Sequence, residues 1–183
     1  MKKQPQITEQ TRKNLRDAFW SLYTCKPIEK ISIKEITDLA GYNRGTFYLY
    51  YKDVYDIFNQ IEDELLQLIQ QVLDSVTIDG TVDFSKQMGS IIQMSKTYSS
   101  YVSVLISDRG DPRFTSRLKD MIRPILDHVL LSSGDKPYSE PEKLYLSEFY
   151  ISGIIGVVGK WLEDPQISID NLLNFILPVI LEQ

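Results

Sequence analysis

Residues 32–53 read SIKEITDLAGYNRGTFYLYYKD, and this stretch constrains the architecture more than any other. Ser32 stands three residues before Glu35. At that spacing a serine hydroxyl accepts from the backbone of the third helical residue while the glutamate reaches back to the serine N–H. Ile33, Ile36 and Ala40 then form the buried side of a short helix. Gly41 tolerates the positive φ that ends such a helix, and Asn43 is a good cap for another one starting at about Arg44. The chain is therefore committed here to two short helices and a tight corner.

The helical period continues on both sides. Thr8 is placed to cap a first helix over 8–24, in which Leu15, Ala18, Phe19, Leu22 and Tyr23 recur at three- and four-residue steps until Pro27 stops it. Asp53 opens a longer helix whose Ile57, Phe58, Ile61, Leu65, Leu68, Val72 and Val76 share one stripe to about residue 76. TIDGTVD, residues 77–83, is the one clear linker. Amphipathic segments follow from about Ser85 to Ile106, from Asp111-Pro112 with a bend expected at Pro124, from about Glu142 to Leu162, and over SIDNLLNFILPVILE at the C-terminal end. No segment alternates with a period of two, so the predicted fold class is all-α. A three-helix head over 1–52 precedes a helical bundle over 53–183.

Charge separates the same two regions. Residues 1–60 hold ten Lys and Arg against seven Asp and Glu, whereas 61–183 hold ten against eighteen. A positive surplus confined to one end is the footprint of a module that meets a polyanion. With 183 residues, 43% of them hydrophobic and 25% charged, the chain has material for a sizeable core. It shows no apolar run of membrane-spanning length and no secretory signal at the N-terminus, so a cytoplasmic location is expected. One cysteine, Cys25, and one histidine, His128, leave little for a metal site. No cofactor is expected, and no nucleophile, base or paired carboxylates stand at a spacing that supports an enzyme.

The head explains the cluster of rings in RGTFYLYYK. Two short helices joined through AGYN and braced by a longer one have the proportions of a helix-turn-helix, whose second helix enters the major groove. At 100° per residue from Arg44, Phe47 and Tyr51 face the preceding helices as core. Gly45, Tyr48, Leu49 and Lys52 lie on the opposite arc, with Arg44 and Thr46 at its margins and Tyr50 at the boundary. Arg44 and Lys52 suit phosphates, or for Arg44 a guanine edge. Thr46 and the Tyr48 and Tyr50 hydroxyls suit phosphates, Gly45 allows close approach, and Leu49 suits a thymine methyl. Lys34 in the first turn of the preceding helix and the capping Asn43 complete the predicted DNA-contacting set.

At these residues the sequence resembles the DNA-binding motif of TetR-type (tetracycline-repressor-like) transcriptional regulators. The likeness covers ISIKEITDLAGYNRGTFYLYYKDVYDIF, with the family's glycine at Gly41, its Thr-aromatic-Tyr at Thr46, Phe47 and Tyr48, and its aromatic-Lys pair at Tyr51-Lys52. Where members usually carry a second lysine two places after Lys52, this chain has Val54. More of the contact then falls to Lys52, Tyr48 and the N-terminal Lys2, Lys3, Arg12 and Lys13.

The resemblance implies a homodimeric regulator, a repressor seated on a palindromic double-stranded DNA operator, with an effector pocket and a four-helix dimer interface in the regulatory half. From the residues, Gly153, Gly156 and Gly159 permit close helix approach, and Leu172, Ile176 and Ile180 belong to a last helix too apolar for one buried stripe. Met88, Met94, Tyr98, Tyr101 and Met121 are placed to line a cavity. Whether that half answers to a small-molecule effector or docks a partner protein, as co-regulators of this fold do, stays open from the sequence.

Overall fold

The computed structural model describes residues 5–78, 81–82, 88–107, 110–132 and 138–181. Among these residues it contains eight α-helices and one short two-stranded ladder. The predicted all-α class holds. The helices are α1 (Pro5–Tyr23), α2 (Ile33–Ala40), α3 (Arg44–Phe47), α4 (Val54–Val76), α5 (Met88–Leu105), α6 (Pro112–Ser132), α7 (Glu140–Glu163) and α8 (Ile169–Leu181). The chain divides into two compact units, Met1–Leu65 and Leu66–Gln183, and the division falls inside α4.

In the first unit α1 packs on α2 and α2 on α3. Leu15, Phe19, Ile36, Phe47, Ile57 and Ile61 are fully buried. Such side chains each contribute about 1.5–3 kcal/mol of apolar transfer relative to exposure. Phe58 reaches from α4 to Phe19 and Tyr23 on α1, with ring centroids 6.1 and 4.9 Å apart. The chain between α1 and α2 carries Cys25, exposed, and a single 3-10 turn, Ile28–Lys30.

The Ser32–Glu35 box forms as its spacing predicts: Glu35 N donates to Ser32 Oγ at 3.3 Å and Ser32 N to Glu35 Oε2 at 3.0 Å. Lys26 Nζ adds an ion pair to Glu35 Oε1 at 2.5 Å. The Lys26 bond, then those from Ser32, hold the Glu35 pKa at about 2 instead of 4.5. A depressed carboxylate pKa stabilises the fold fully above the unfolded value, and the gain is lost as pH falls through the folded value. Glu35→Gln should therefore lower the urea midpoint at pH 6, and the gap from the parent should close between pH 4.5 and pH 2. A gap that widens on acidification would overturn the assignment.

Three boundaries differ from expectation. α1 begins at Pro5, so Thr8 is an interior helical residue instead of a cap; proline is well suited to a first turn, where its missing N–H is not needed. The linker after α4 contains a minimal antiparallel ladder, Thr77–Ile78 paired with Thr81–Val82, too short to show a period in sequence. α7 starts two residues before the expected Glu142, because Ser139 and Glu142 form a second reciprocal cap, with Ser139 N donating to Glu142 Oε2 at 2.7 Å.

In the second unit α7 packs on α5 and α6, and α8 packs on the same two helices. Leu126 and Ile151 centre a cluster closed by Ile122, Leu146, Tyr150, Ile154 and Ile155. A polar seam also joins α6 to α7: Glu148 receives Lys119 at 2.5 Å and Arg123 at 3.2 Å, and Ser147 bonds Asp127.

Candidate nucleic-acid interface

The geometry of residues 41–52 follows from three local devices. Gly41, at φ +76°, closes α2 by turning its N–H back to Asp38, and Tyr42 N donates to Thr37 O at 2.9 Å. No added Cβ would meet an atom within 4 Å at Gly41, so the backbone angle alone calls for glycine. Asn43 then caps α3, its Oδ1 accepting from Thr46 N at 2.9 Å. A Cβ at Gly45 would stand 3.1 Å from that same oxygen. Gly45 therefore leaves room for the cap, a reason independent of any close approach to a groove.

Regular α-helix lasts only over Arg44–Phe47, shorter than the sequence implies. The chain then tightens: Leu49 N donates to Thr46 O and Tyr50 N to Phe47 O, both three-residue bonds, before Tyr51 N returns to Phe47 O. The two faces survive this change. Phe47 is fully buried and Tyr51 is 2% exposed, with their rings 5.4 Å apart. Tyr48 and Leu49 are 59% and 63% exposed, and Lys34, Asn43, Arg44, Gly45 and Lys52 are exposed too. Thr46 and Tyr50 are half-buried. Among the described residues the Lys34, Arg44 and Lys52 side chains enter no ion pair.

The frame behind this surface is polar as well as aromatic. Lys52 N donates to Asp56 Oδ2 at 2.7 Å, and Asp56 N to Asp53 Oδ1 at 2.8 Å, which closes the start of α4. Arg12 Nη2 bonds Gln60 at 3.0 Å and Glu64 Oε1 at 2.6 Å, and Arg16 pairs with the other Glu64 oxygen. Burial opposes the Arg12 charge, but the Tyr51 hydroxyl beside it and the Glu64 carboxylate leave its pKa raised. Burial likewise pushes the Tyr51 phenol up, and Arg12 offsets part of that.

A family model described as the C-terminal region of transcriptional regulators, of the TetR type, matches residues 82–177, just over half of the chain. The chain belongs to the TetR family of transcriptional regulators. Solved structures agree in fold. A TetR transcriptional regulator from Streptococcus agalactiae is 24% identical over 96% of both chains, with a TM-score of 0.64. The dihydroxyacetone kinase operon activator DhaS is 18% identical, covering 94% of this chain and 95% of its own, with a TM-score of 0.59. The fatty acid degradation regulator FadR from Bacillus halodurans is 16% identical, covering 99% and 97%, with a TM-score of 0.60. No curated protein sequence matches the chain.

One expectation for this TetR-family chain needs correction. Arg12 is committed to Gln60 and Glu64, which takes it out of the expected phosphate-facing set, whereas Lys13 stays exposed in a same-helix pair with Asp17 at 2.5 Å. Lys2 and Lys3 lie outside the described residues. Val54 is buried in the first unit, and its exposed neighbour is Tyr55, 50% accessible. Tyr55, on the first turn of α4, is an exposed ring outside the predicted contact set.

In the second unit, Met94 and Tyr98 line one cavity of about 670 Å³ between α4 and α5, together with Leu68, Gln71, Val72 and Gln93. Met121 borders a different one of about 580 Å³, beside Leu73 and Pro124. Tyr101 lines neither; its ring lies 6.5 Å from that of Tyr98. The Met88 side chain lies outside the described residues.

The residues expected between subunits also divide. Gly153 and Gly156 are exposed, with open space where a side chain would stand, whereas Gly159 is half-buried and faces Ile106. Leu172 is 8% exposed and turned into its own unit, a correction to its place in the predicted interface. Ile176 is half-buried, and the Ile180 side chain is outside the described residues. On these two helices the large exposed apolar residues are Leu144, Tyr145 and Phe149 on α7 and Phe175 and Val179 on α8. Among the described residues no helix is long and apolar enough to cross a membrane, and no group of three or more His, Cys, Asp and Glu is arranged to hold a metal.

Proposed function

We propose that the chain is a homodimeric, ligand-responsive repressor that reads a palindromic operator through residues 34–52. One observation carries this reading: an exposed row of Lys34, Arg44, Tyr48, Leu49 and Lys52 is held from behind by the buried Phe47 and Tyr51. Cations outside any ion pair among the described residues, beside exposed phenols and a small apolar side chain, are the groups a major groove and its phosphates take. Asn43, Gly45, Thr46 and Tyr50 shape that row, and Tyr55 extends it.

One head covers one half-site, and dimeric readers place two such heads about one helical turn, 34–36 Å, apart. The exposed apolar faces of α7 and α8 support pairing with a second copy. A dimer seated on a promoter palindrome excludes polymerase, which makes repression the default sign. The open α4–α5 groove, with Met94 and Tyr98, has a volume in the range of small-molecule sites. A ligand there would act by favouring one head spacing over another. Such a protein works in the cytoplasm, where the operator is.

A second reading has its own support. The apolar side chains of Leu144, Tyr145 and Phe149 are exposed on α7, and in a co-regulator that surface would dock a partner protein. Purifying the chain alone and measuring its mass in solution separates the two, since only the first reading expects a stable dimer without a partner.

The primary test is a salt titration of binding to the duplex upstream of its own coding sequence. Removing one cation from a phosphate should reduce the slope of log K against log salt by about 0.9. Lys52→Ala should weaken binding about tenfold and flatten that slope. Arg44→Ala should weaken it by roughly 10- to 100-fold and relax sequence preference, as removal of a base-reading side chain does. Unchanged affinity in both variants, with both folded, would rule the surface out.

A further inference from the structure

We propose that Glu64 is a positioning residue for the end of the recognition segment, acting through a hydrogen-bonded row along α4 that finishes on the backbone of Lys52. The inference rests on the assignment of residues 34–52 to duplex contact. Its geometry can be followed bond by bond. Glu64 Oε1 accepts from Arg12 Nη2 at 2.6 Å, and its second oxygen pairs with Arg16. The same Arg12 nitrogen donates to Gln60 Oε1 at 3.0 Å. Gln60 Nε2 donates to Asp56 Oδ1 at 3.2 Å, and Asp56 Oδ2 accepts from Lys52 N at 2.7 Å.

Asp56, Gln60 and Glu64 are spaced by four, so they share one face of α4. Arg12 and Arg16 are spaced likewise on α1. Two arginines on two oxygens of a single carboxylate fix both the separation and the rotation of α1 on α4. The row then passes that placement on. Lys52 lies in the non-helical link before α4, and its amide is tied to a side chain instead of a helical carbonyl. Its position follows the orientation of the Asp56 carboxylate. A carboxylate held at one end only would sample several rotamers, and Gln60 occupies one oxygen so that the other stays directed at Lys52. Arg12 also lies beside the buried Tyr51 hydroxyl, so its placement bears on the ring that anchors the segment. Glu64 stands one residue from the end of the first unit.

The test reads the Lys52 amide directly. Hydrogen exchange by NMR is measured in the full chain and in Gln60→Leu and Glu64→Gln, neither of which touches the proposed DNA surface. Losing one hydrogen bond of ordinary net strength should speed Lys52 exchange about tenfold, and amides in the middle of α2 and α4 should keep their protection. Duplex affinity should fall with it while the salt slope stays unchanged, because every phosphate-facing cation is still in place. The double variant should be no weaker than Gln60→Leu alone, since both interrupt one row.

Unaltered Lys52 exchange in both variants overturns the proposal. So does faster exchange spread evenly over the head, which marks Glu64 as a clamp for folding only, and so does raised Lys52 exchange with full duplex affinity. If the parent chain binds no duplex, the DNA assignment falls by itself, and the exchange measurement still decides whether the row holds Lys52.

Discussion

Phe47→Ala is expected to cost the head about 3–5 kcal/mol, the range for truncating a buried aromatic ring, and to abolish duplex binding with it. α3 is four residues long, far below the length at which a helix persists by its own hydrogen bonds. Its place depends on tertiary packing. Phe47 is fully buried, stacks obliquely on Tyr51 and meets the edge of Tyr48 at 5.8 Å. A unit of this size has only a few kcal/mol of net stability to lose. Urea titration followed by resolved amide signals should show first-unit residues such as Ile36 and Ile57 unfolding early, while Leu126 and Ile151 keep their midpoint. A shift below about 1 kcal/mol in the first unit would mean that the ring is not the anchor.

Phe149→Asp is expected to turn a dimer into a monomer, raising the dissociation constant by about 100-fold or more, as charge placed at an interface hot spot does. Tyr145 and Phe149 are 75% and 71% exposed and lie on the same arc of α7 as Gly153 and Gly156. The arrangement is directional: two aromatic rings stand at one end of the helix, and two glycines with open space beside them lie further along. Phe175 and Val179 are exposed as well, on α8. Sedimentation equilibrium gives the readout. Leu172→Ala serves as the contrast, because a buried leucine should lower thermal stability without changing the mass. A Phe149→Asp dimer of unchanged strength would place pairing elsewhere, and a monomeric parent would overturn the dimer reading itself.

What could be read from the sequence was local. The Ser32–Glu35 cap, the left-handed Gly41 and the Asn43 cap each depend on residues within four positions, and all three appear as spacing predicts. The two faces of residues 44–52 were legible for the same reason, although the regular helix ends at Phe47. Partners distant in sequence were not. Arg12 counts as a free cation until Glu64, 52 residues away, is found against it. The glycine row divides for a geometric reason: residues three apart advance about 300° on a helix, so each glycine is turned about 60° from the last. Gly153 and Gly156 consequently face outward and Gly159 faces Ile106. On α8, apolar on nearly every side, sequence offered no way to tell buried Leu172 from exposed Phe175.

Cys25, the sole thiol of the chain and exposed just after α1, has a practical consequence. It offers one chemically unique attachment point on each head, requiring no engineered background. A nitroxide coupled there would report the head-to-head distance distribution of a pair by pulsed magnetic resonance, with and without duplex or added small molecules.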